Sequence, residues 1–521
     1  MSINRKIIFA AAIGIAFGVS SCKKYLNVNT NPNVAQVATV QTLLPASELY
    51  VGTALGVDLQ IAGSFWAQYW TESPNASQYR IYDTYNPGQD VFSTPWTNLY
   101  AANENFYQLF KLADSQKQKQ YMAIALLMQA YTFQLIADAW GDVPYTQALK
   151  GQYTDGHLVN PKYDSQLVVY NGILANIDTA NKLISTTDPT HPGTDDLIYG
   201  GKMAQWQKFS NTLKLRILLR MSQKPATAAT AQAAITAFFA TNPKFIGTGD
   251  DAFIAYGFGT SNKSPLYAEE SSTTLGGTQN LVASTTCIDS LNANGDPREY
   301  IFYEPLSNGS FAGVQQGFTG SLAAGSFCIP GVYVAGDAQN VGATSSFTSA
   351  NAPVNLLTSW ESYFMQAEVV ANGWGTVAGN DDQSLFYSGI NASFTYYSKQ
   401  LTDAYGTPVT STIDSDYITG GTHVMGNGGY WTIYPATGSV AQKLRFIITQ
   451  KWFAMCGNQG FEAWTEWRRT GYPDFITGIQ SLNAGSLPKP RRFLYPTSES
   501  TTNSSYPGLA PISESVWWDI H

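Results

Sequence analysis

KQKQYMAIALLMQAYTFQLIADAWGDVPY (Lys117–Tyr145) is the stretch that decides how this chain folds. Within it Tyr121, Ile124, Met128, Tyr131, Leu135 and Ala139 recur at steps of three and four residues, which places them on one apolar stripe of an α-helix. The helix is expected to stop at Trp140-Gly141-Asp142-Val143-Pro144-Tyr145, because Gly141 tolerates a positive φ at a helix C-terminus and Pro144 cannot continue the helix. Upstream, Asn98 to Asp114 has a helical pattern too, and the break before Lys117 is short enough only for an antiparallel neighbour.

The same pairing recurs along the chain. Gln166 to Ser185 precedes Lys202 to Ser222, Leu356 to Asn372 precedes Asp382 to Ala404, and Val440 to Cys456 precedes Phe461 to Arg469. Helix pairs that bury each other's faces suggest tetratricopeptide-like stacking, although a strict repeat of about 34 residues is absent. Two long regions, Pro243 to Pro353 and Thr407 to Pro435, are rich in Gly, Ser, Thr, Asn and aromatics and read as irregular. Loops of that length in a compact body are more often functional than idle.

At the N-terminus, Arg5 and Lys6 precede an apolar run from Ile7 to Val19, and Val19-Ser20-Ser21-Cys22 places small residues before a cysteine. This is a lipoprotein leader over residues 1–21 with Cys22 as the acylated residue; the run is too short to cross a hydrocarbon core of roughly 30 Å. No other apolar run is expected to approach spanning length. The reading divides the chain into the leader, a lipidated segment 22–40, and one domain 41–521 with irregular insertions around 243–353 and 407–435.

Composition narrows the function classes. Charged residues make up 13%, about half the usual share of ~25%, so the surface suits neutral hydroxyl-rich ligands better than ionic ones. The 29 Lys and Arg against 37 Asp and Glu give a net charge of −8, and loss of Arg5 and Lys6 with a leader makes it about −10. Nucleic acid is therefore excluded as an expected partner. Besides Cys22 there are only Cys287, Cys328 and Cys456; they are read as buried thiols, with at most one disulfide whose pairing the sequence leaves open.

Catalytic patterns are missing. His157, His191, His423 and His521 are scattered, no nucleophile elbow occurs, and Ser290 and Ile301 stand where an EF-hand loop would need its first carboxylate and its closing Glu. Asp381-Asp382 and Glu269-Glu270 read as solvated caps and loop charges. No cofactor, metal or catalytic residue is expected.

Five motifs in chain order carry a resemblance: Asn29-Thr30-Asn31-Pro32-Asn33; Asp138 to Tyr145; Tyr363-Phe364-Met365-Gln366-Ala367-Glu368; Glu462 to Pro473; and Pro490-Arg491-Arg492-Phe493-Leu494-Tyr495-Pro496. Behind a lipobox, they resemble the SusD/RagB family of nutrient-binding outer-membrane lipoproteins. The resemblance implies a mainly α fold, with tetratricopeptide-like helix pairs forming one side and long irregular loops with a few short strands on the other. It also implies an oligosaccharide ligand, a SusC-like TonB-dependent transporter as partner, and an outer-membrane location facing the cell exterior. Lys23 and Lys24 depart from the acidic residues that often follow the cysteine in surface-exported relatives, which leaves the leaflet open. A peptide or other nutrient as ligand, or a surface-anchored hydrolase, are the rival functions.

For the ligand site, Tyr79-Arg80-Ile81-Tyr82-Asp83-Thr84-Tyr85 with Trp96 and Asn98 combines aromatic plates with polar edges. Tyr79, Arg80, Tyr82, Trp96 and Asn98 are the candidates, with Trp96 and Tyr82 as the stacking rings. Tyr267, Phe302, Tyr303, Phe311, Phe318, Trp374, Trp431 and Tyr434 are held in reserve. Arg468, Arg469, Arg491 and Arg492 are expected to pair with Glu462, Glu466 or Glu499 and to fasten the C-terminal segment.

Overall fold

The computed structural model describes residues 38–521 except 153–154, 258, 260, 272–274, 276–277, 335–348, 399–429 and 477–488. The leader, Cys22, the first of the five motifs and most of the 407–435 insertion lie outside the described residues.

The helices in chain order are α1 (Val40–Gly56), α2 (Asp58–Trp66), α3 (Arg80–Asp83), α4 (Ser93–Ser115), α5 (Lys119–Trp140), α6 (Gln166–Leu183), α7 (Met203–Ser222) and α8 (Pro225–Ala240). They continue as α9 (Pro265–Glu270), α10 (Thr285–Asn294), α11 (Glu299–Phe302), α12 (Ser359–Ala371), α13 (Asp382–Tyr396), α14 (Val440–Met455), α15 (Gly460–Thr470) and α16 (Thr497–Thr502). Consecutive helices pack from α4 through α8, α1 lies on α4, and a second group runs α13, α12, α14, α15, with α15 returning onto α2. The fold is mainly helical with a few short strands, as the sequence pattern implies.

Local chemistry explains the boundaries. Gly141 ends α5 with φ 89 and Gly471 ends α15 with φ 72, conformations that favour glycine. Asp381 caps α13 by accepting a hydrogen bond of 2.7 Å from the Ser384 N–H. The expected start of the third pair shifts: residues Val354–Leu357 form strand β6, and helix α12 begins only at Ser359.

Helix α5 is long and apolar enough to span a membrane by length and composition, contrary to the expectation that no run after the leader would be. Its apolar window is wholly buried inside the protein. Gln120, Gln134 and Asp138 are buried on it with hydrogen-bond partners from neighbouring segments, so α5 is the central core helix.

A buried ionic seam fastens the two helical groups. On α7, Arg216 makes a two-pronged pair with Glu361 of α12, both bonds 2.7 Å, and Arg220 reaches Glu462 and Glu466 of α15. On α15, Arg469 grips Glu368 with bonds of 2.7 and 2.6 Å, while Lys451 of α14 lies 3.0 Å from Glu466. Burial alone would raise Glu462 and Glu466, but the surrounding Arg and Lys outweigh it and hold both below the usual carboxylate range. The expected arginine pairings therefore hold in part. Arg469 pairs with Glu466, but Arg491 pairs with Asp519, Arg492 with Glu514, and Arg468 donates to the backbone oxygens of Asp138 and Arg491. Glu499 accepts from the Tyr163 hydroxyl instead. Forks of guanidinium N–H groups satisfy whichever oxygens the fold brings near, so chain proximity was a poor guide.

Among the described residues, three short antiparallel strand pairs connect the helices: β1 (Trp70–Glu72) with β5 (Leu281–Ala283), β2 (Val143–Pro144) with β3 (Tyr163–Asp164), and β4 (Ala252–Ile254) with β6. The region 243–353 is thus less irregular than its composition suggests, since it also holds α9, α10 and α11. Register Trp70 to Ala283 ties the segment after α2 to the chain some two hundred residues later.

Candidate functional site

The β1–β5 pair places the N-terminal end of α10 beside the loop 313–318, and between them opens a cleft of ≈ 610 Å³. Its α10 wall is Thr285, Thr286, Asp289 and Ser290, the polar face of a helix whose opposite face buries Cys287, Ile288 and Leu291. The facing wall is Gln315, Gln316 and the partly exposed Phe318, with Leu322 at the rim, and Phe475 closes another side. Gln68 contributes a carbonyl oxygen that accepts 2.8 Å from Thr286 Oγ1.

The loop lies close to α10 because Gly313 permits it: a Cβ there would approach the Thr285 nitrogen to 2.6 Å. Thr285 N donates to Val314 O at 2.9 Å, and Val314 N donates to Ala283 O at 2.8 Å. From behind, Asp83 accepts from Gln316 Nε2 at 2.7 Å, Gly317 N at 3.0 Å and Thr71 Oγ1 at 2.7 Å. Burial pushes the Asp83 carboxyl up to about 6, against the opposing pull of those hydrogen bonds. Arg80 Nη1 donates to Phe318 O, and Arg80 Nη2 holds Ser73 O and Ala76 O at 3.3 and 2.9 Å.

The sequence-predicted residues are therefore split between cleft support and core. Arg80 is half-buried and holds the cleft wall. Trp96 is only 6% exposed, its ring 5.1 Å from Trp140 and 4.8 Å from Tyr100, so both faces meet protein. Tyr82 lies among Phe65, Trp66 and Phe92, with centroids 6.0 to 6.3 Å apart. Tyr79 is buried as well, its N–H donating 2.6 Å to Glu72 and its hydroxyl donating to Glu270. These three rings differ from the expected open stacking platform because the aromatic clustering that marked them in sequence is what fills the core. Asn98 is half-exposed on α4. Glu270, expected as a solvated loop charge, is buried too.

Of the reserve rings, Phe318 lines the cleft, whereas Tyr267, Phe302, Tyr303 and Tyr434 are core. Missed in the sequence were Gln68, Thr286, Asp289, Ser290, Gln315 and Phe475. The available signal was the polar spacing 285, 286, 289, 290 opposite an apolar 287, 288, 291, one turn of amphipathic helix. Among the described residues no cluster of His, Cys, Asp and Glu is arranged to hold a metal.

A family described as starch-binding and associating with the outer membrane, SusD-like, matches residues 30–496. The chain belongs to the SusD-like family. A search of curated proteins finds no match. Among solved structures, a chitin-binding protein aligns with TM-score 0.73 at 22% identity, over 93% of this chain and all of its own. A chitin-binding SusD homolog from Flavobacterium johnsoniae aligns at 0.69 and 22%, covering 92% and 98% of the two chains. A SusD homolog from Bacteroides fragilis aligns at 0.69 and 21%, covering 91% and 99%. At these identities the likeness is one of fold. The SusD-like family comprises starch-binding proteins associated with the outer membrane.

Proposed function

We propose that this SusD-like protein captures a neutral oligosaccharide in the cleft between α10 and the loop 313–318, without cleaving it, and passes it to a SusC-like TonB-dependent transporter. In this reading Cys22 is the acylated anchor to the outer membrane and the cleft faces the cell exterior. Phe318 and Phe475 offer rings to the C–H faces of sugar units, while Gln68, Thr286, Ser290 and Gln315 address the hydroxyl rim. The observation that carries the reading is the lining itself: two partly exposed rings, several uncharged polar groups, one carboxylate, and no Lys or Arg among the described lining residues. Arg80 then acts from behind the cleft by holding Phe318 O, while Tyr79, Tyr82 and Trp96 are core rings and Asn98 lies outside the lining.

The experiment is retention in affinity gels of starch or soluble chitin fragments, with product analysis of the same incubations. Retention without product that is lost in the double variant Phe318→Ala, Phe475→Ala supports the proposal. Product formation identifies a hydrolase, and retention untouched by the double variant moves the site elsewhere. Co-extraction of a barrel protein in mild detergent from the cells of origin tests the partner; consistent recovery of the lipoprotein alone overturns that part.

A further inference from the structure

We propose that Cys287 and Cys456 form a disulfide that joins the cleft-bearing helix α10 to the end of α14. Their sulfurs lie 3.7 Å apart, both wholly buried, in residues 169 positions apart in sequence. A disulfide needs about 2.05 Å between sulfurs, so bond formation brings the two sulfurs about 1.7 Å closer than they stand. Cys287 sits on the buried face of α10, directly behind the turn whose other face presents Thr286 and Ser290 to the cleft. Cys456 is the residue that ends α14. Tyr303 packs over the pair, its oxygen 3.5 Å from Cys456 Sγ while its O–H donates to Tyr69 O at 2.7 Å. Cys328 stands apart, its sulfur accepting from Ala312 N–H.

The chemistry requires a disulfide oxidant, such as a dithiol oxidase of an oxidising compartment or oxidised glutathione. One cysteine thiolate attacks a sulfur of the oxidant's S–S bond and releases the oxidant's other sulfur as a thiolate. The second cysteine, deprotonated, attacks the mixed disulfide, forming the Cys287–Cys456 bond and releasing the oxidant's second thiolate. Two protons and two electrons leave the protein, and the oxidant's disulfide becomes two thiols: a dithiol for an oxidase, two reduced glutathiones for oxidised glutathione. Burial pushes the Cys456 thiol up, so the finished fold shields the pair and the bond forms as α10 closes onto α14. Only the supply of oxidant in the cell rests on the export reading. The bond would close a very long loop between the two sides of the molecule and restrain the unfolded chain accordingly.

The test is refolding of the reduced, denatured mature chain carrying Cys22→Ser in a buffer of reduced and oxidised glutathione, followed by alkylation in denaturant without reductant. The expected result is one alkylated thiol, at Cys328, and a mass about 2 Da below the fully reduced chain. Digestion without reductant then yields one linked pair of peptides holding Cys287 and Cys456. Cys328→Ala must keep the link and Cys287→Ala must lose it. Reduction of the linked protein should lower its melting temperature. Three alkylated thiols, or a link through Cys328, overturn the proposal, and neither result depends on the glycan reading of the cleft.

Discussion

The ionic seam and the cleft side both bury carboxylates, and they do so in opposite ways. In the seam, Glu361, Glu368, Glu462 and Glu466 each meet at least one guanidinium or ammonium, and Glu462 and Glu466 are held below their ordinary range. Near the cleft, Glu72, Glu270 and Asp83 are buried with hydrogen bonds and, for Asp83, a single guanidinium at 3.8 Å; burial outweighs these and pushes them to about 8, 7 and 6. The seam lies between long helices, whose regular geometry aims several long side chains at one line. The cleft support is built from short strands and turns, where backbone N–H groups, hydroxyls and side-chain amides are the nearest partners and Arg80, 3.8 Å from Asp83, is the cation at hand. One side is locked by charge, and the other is held by groups that can take up protons near neutrality.

The largest expected effect comes from breaking the seam. Arg220→Ala removes the cation that contacts both Glu462 and Glu466, leaving Glu462 only Arg216 at 3.8 Å among the described residues, and should destabilise the fold by about 3–5 kcal/mol, read as a shift in the urea midpoint. A loss below about 1 kcal/mol would show that the seam is solvated and the contrast false. Trp96→Ala comes next or close to it: as a buried ring it should lower stability by about 3–5 kcal/mol, while the folded fraction keeps its glycan retention. A variant that melts normally yet loses retention would return Trp96 to the binding surface.

The pH profile sharpens the comparison without mutation. Glu72 and Glu270 hold protons in the folded protein at pH values where the unfolded chain has released them, since their folded values exceed the ordinary 4.5. Stability from this side should therefore fall as pH rises from about 5 to 8. For Glu462 and Glu466 the sign reverses: their contribution is complete above 4.5 and is lost as pH falls through their depressed folded values. Melting temperatures measured from about pH 3 to 8 should pass through a maximum near 4.5. Glu72→Gln should flatten the alkaline limb alone, and a limb unchanged by it would remove Glu72 from the account. The smallest effect belongs to Phe318→Ala, which should weaken glycan binding by about 0.5–1.5 kcal/mol with little change in melting. Unchanged affinity there would break the assignment of the cleft.

The contrast also shows which parts of the molecule were legible in advance. The stop of α5 at Gly141, the cap at Asp381 and the pairing of helices α4 to α7 follow from periodicity and punctuation within a few residues. The aromatic run from Tyr79 to Tyr85 was read as a stacking platform, yet its rings Tyr79, Tyr82 and Tyr85 are buried. Its polar members, Arg80 and Asp83, do the work of holding the loop 316–318. Aromatic clustering in sequence has the same appearance whether a ring stacks on a sugar or on Trp140.

By itself, the sequence determined the helical class, the pairing of helices, the low share of charged residues and the family, because each depends on local spacing, composition or motifs in order. Only the tertiary structure decided which aromatics were core, which arginine met which glutamate, and where the cleft opened. The physical reason is range: Trp70 pairs with Ala283, Arg80 with Phe318, and Arg220 with Glu462 and Glu466. A side chain's burial is set by what arrives from hundreds of residues away, and no short window of sequence contains that neighbour.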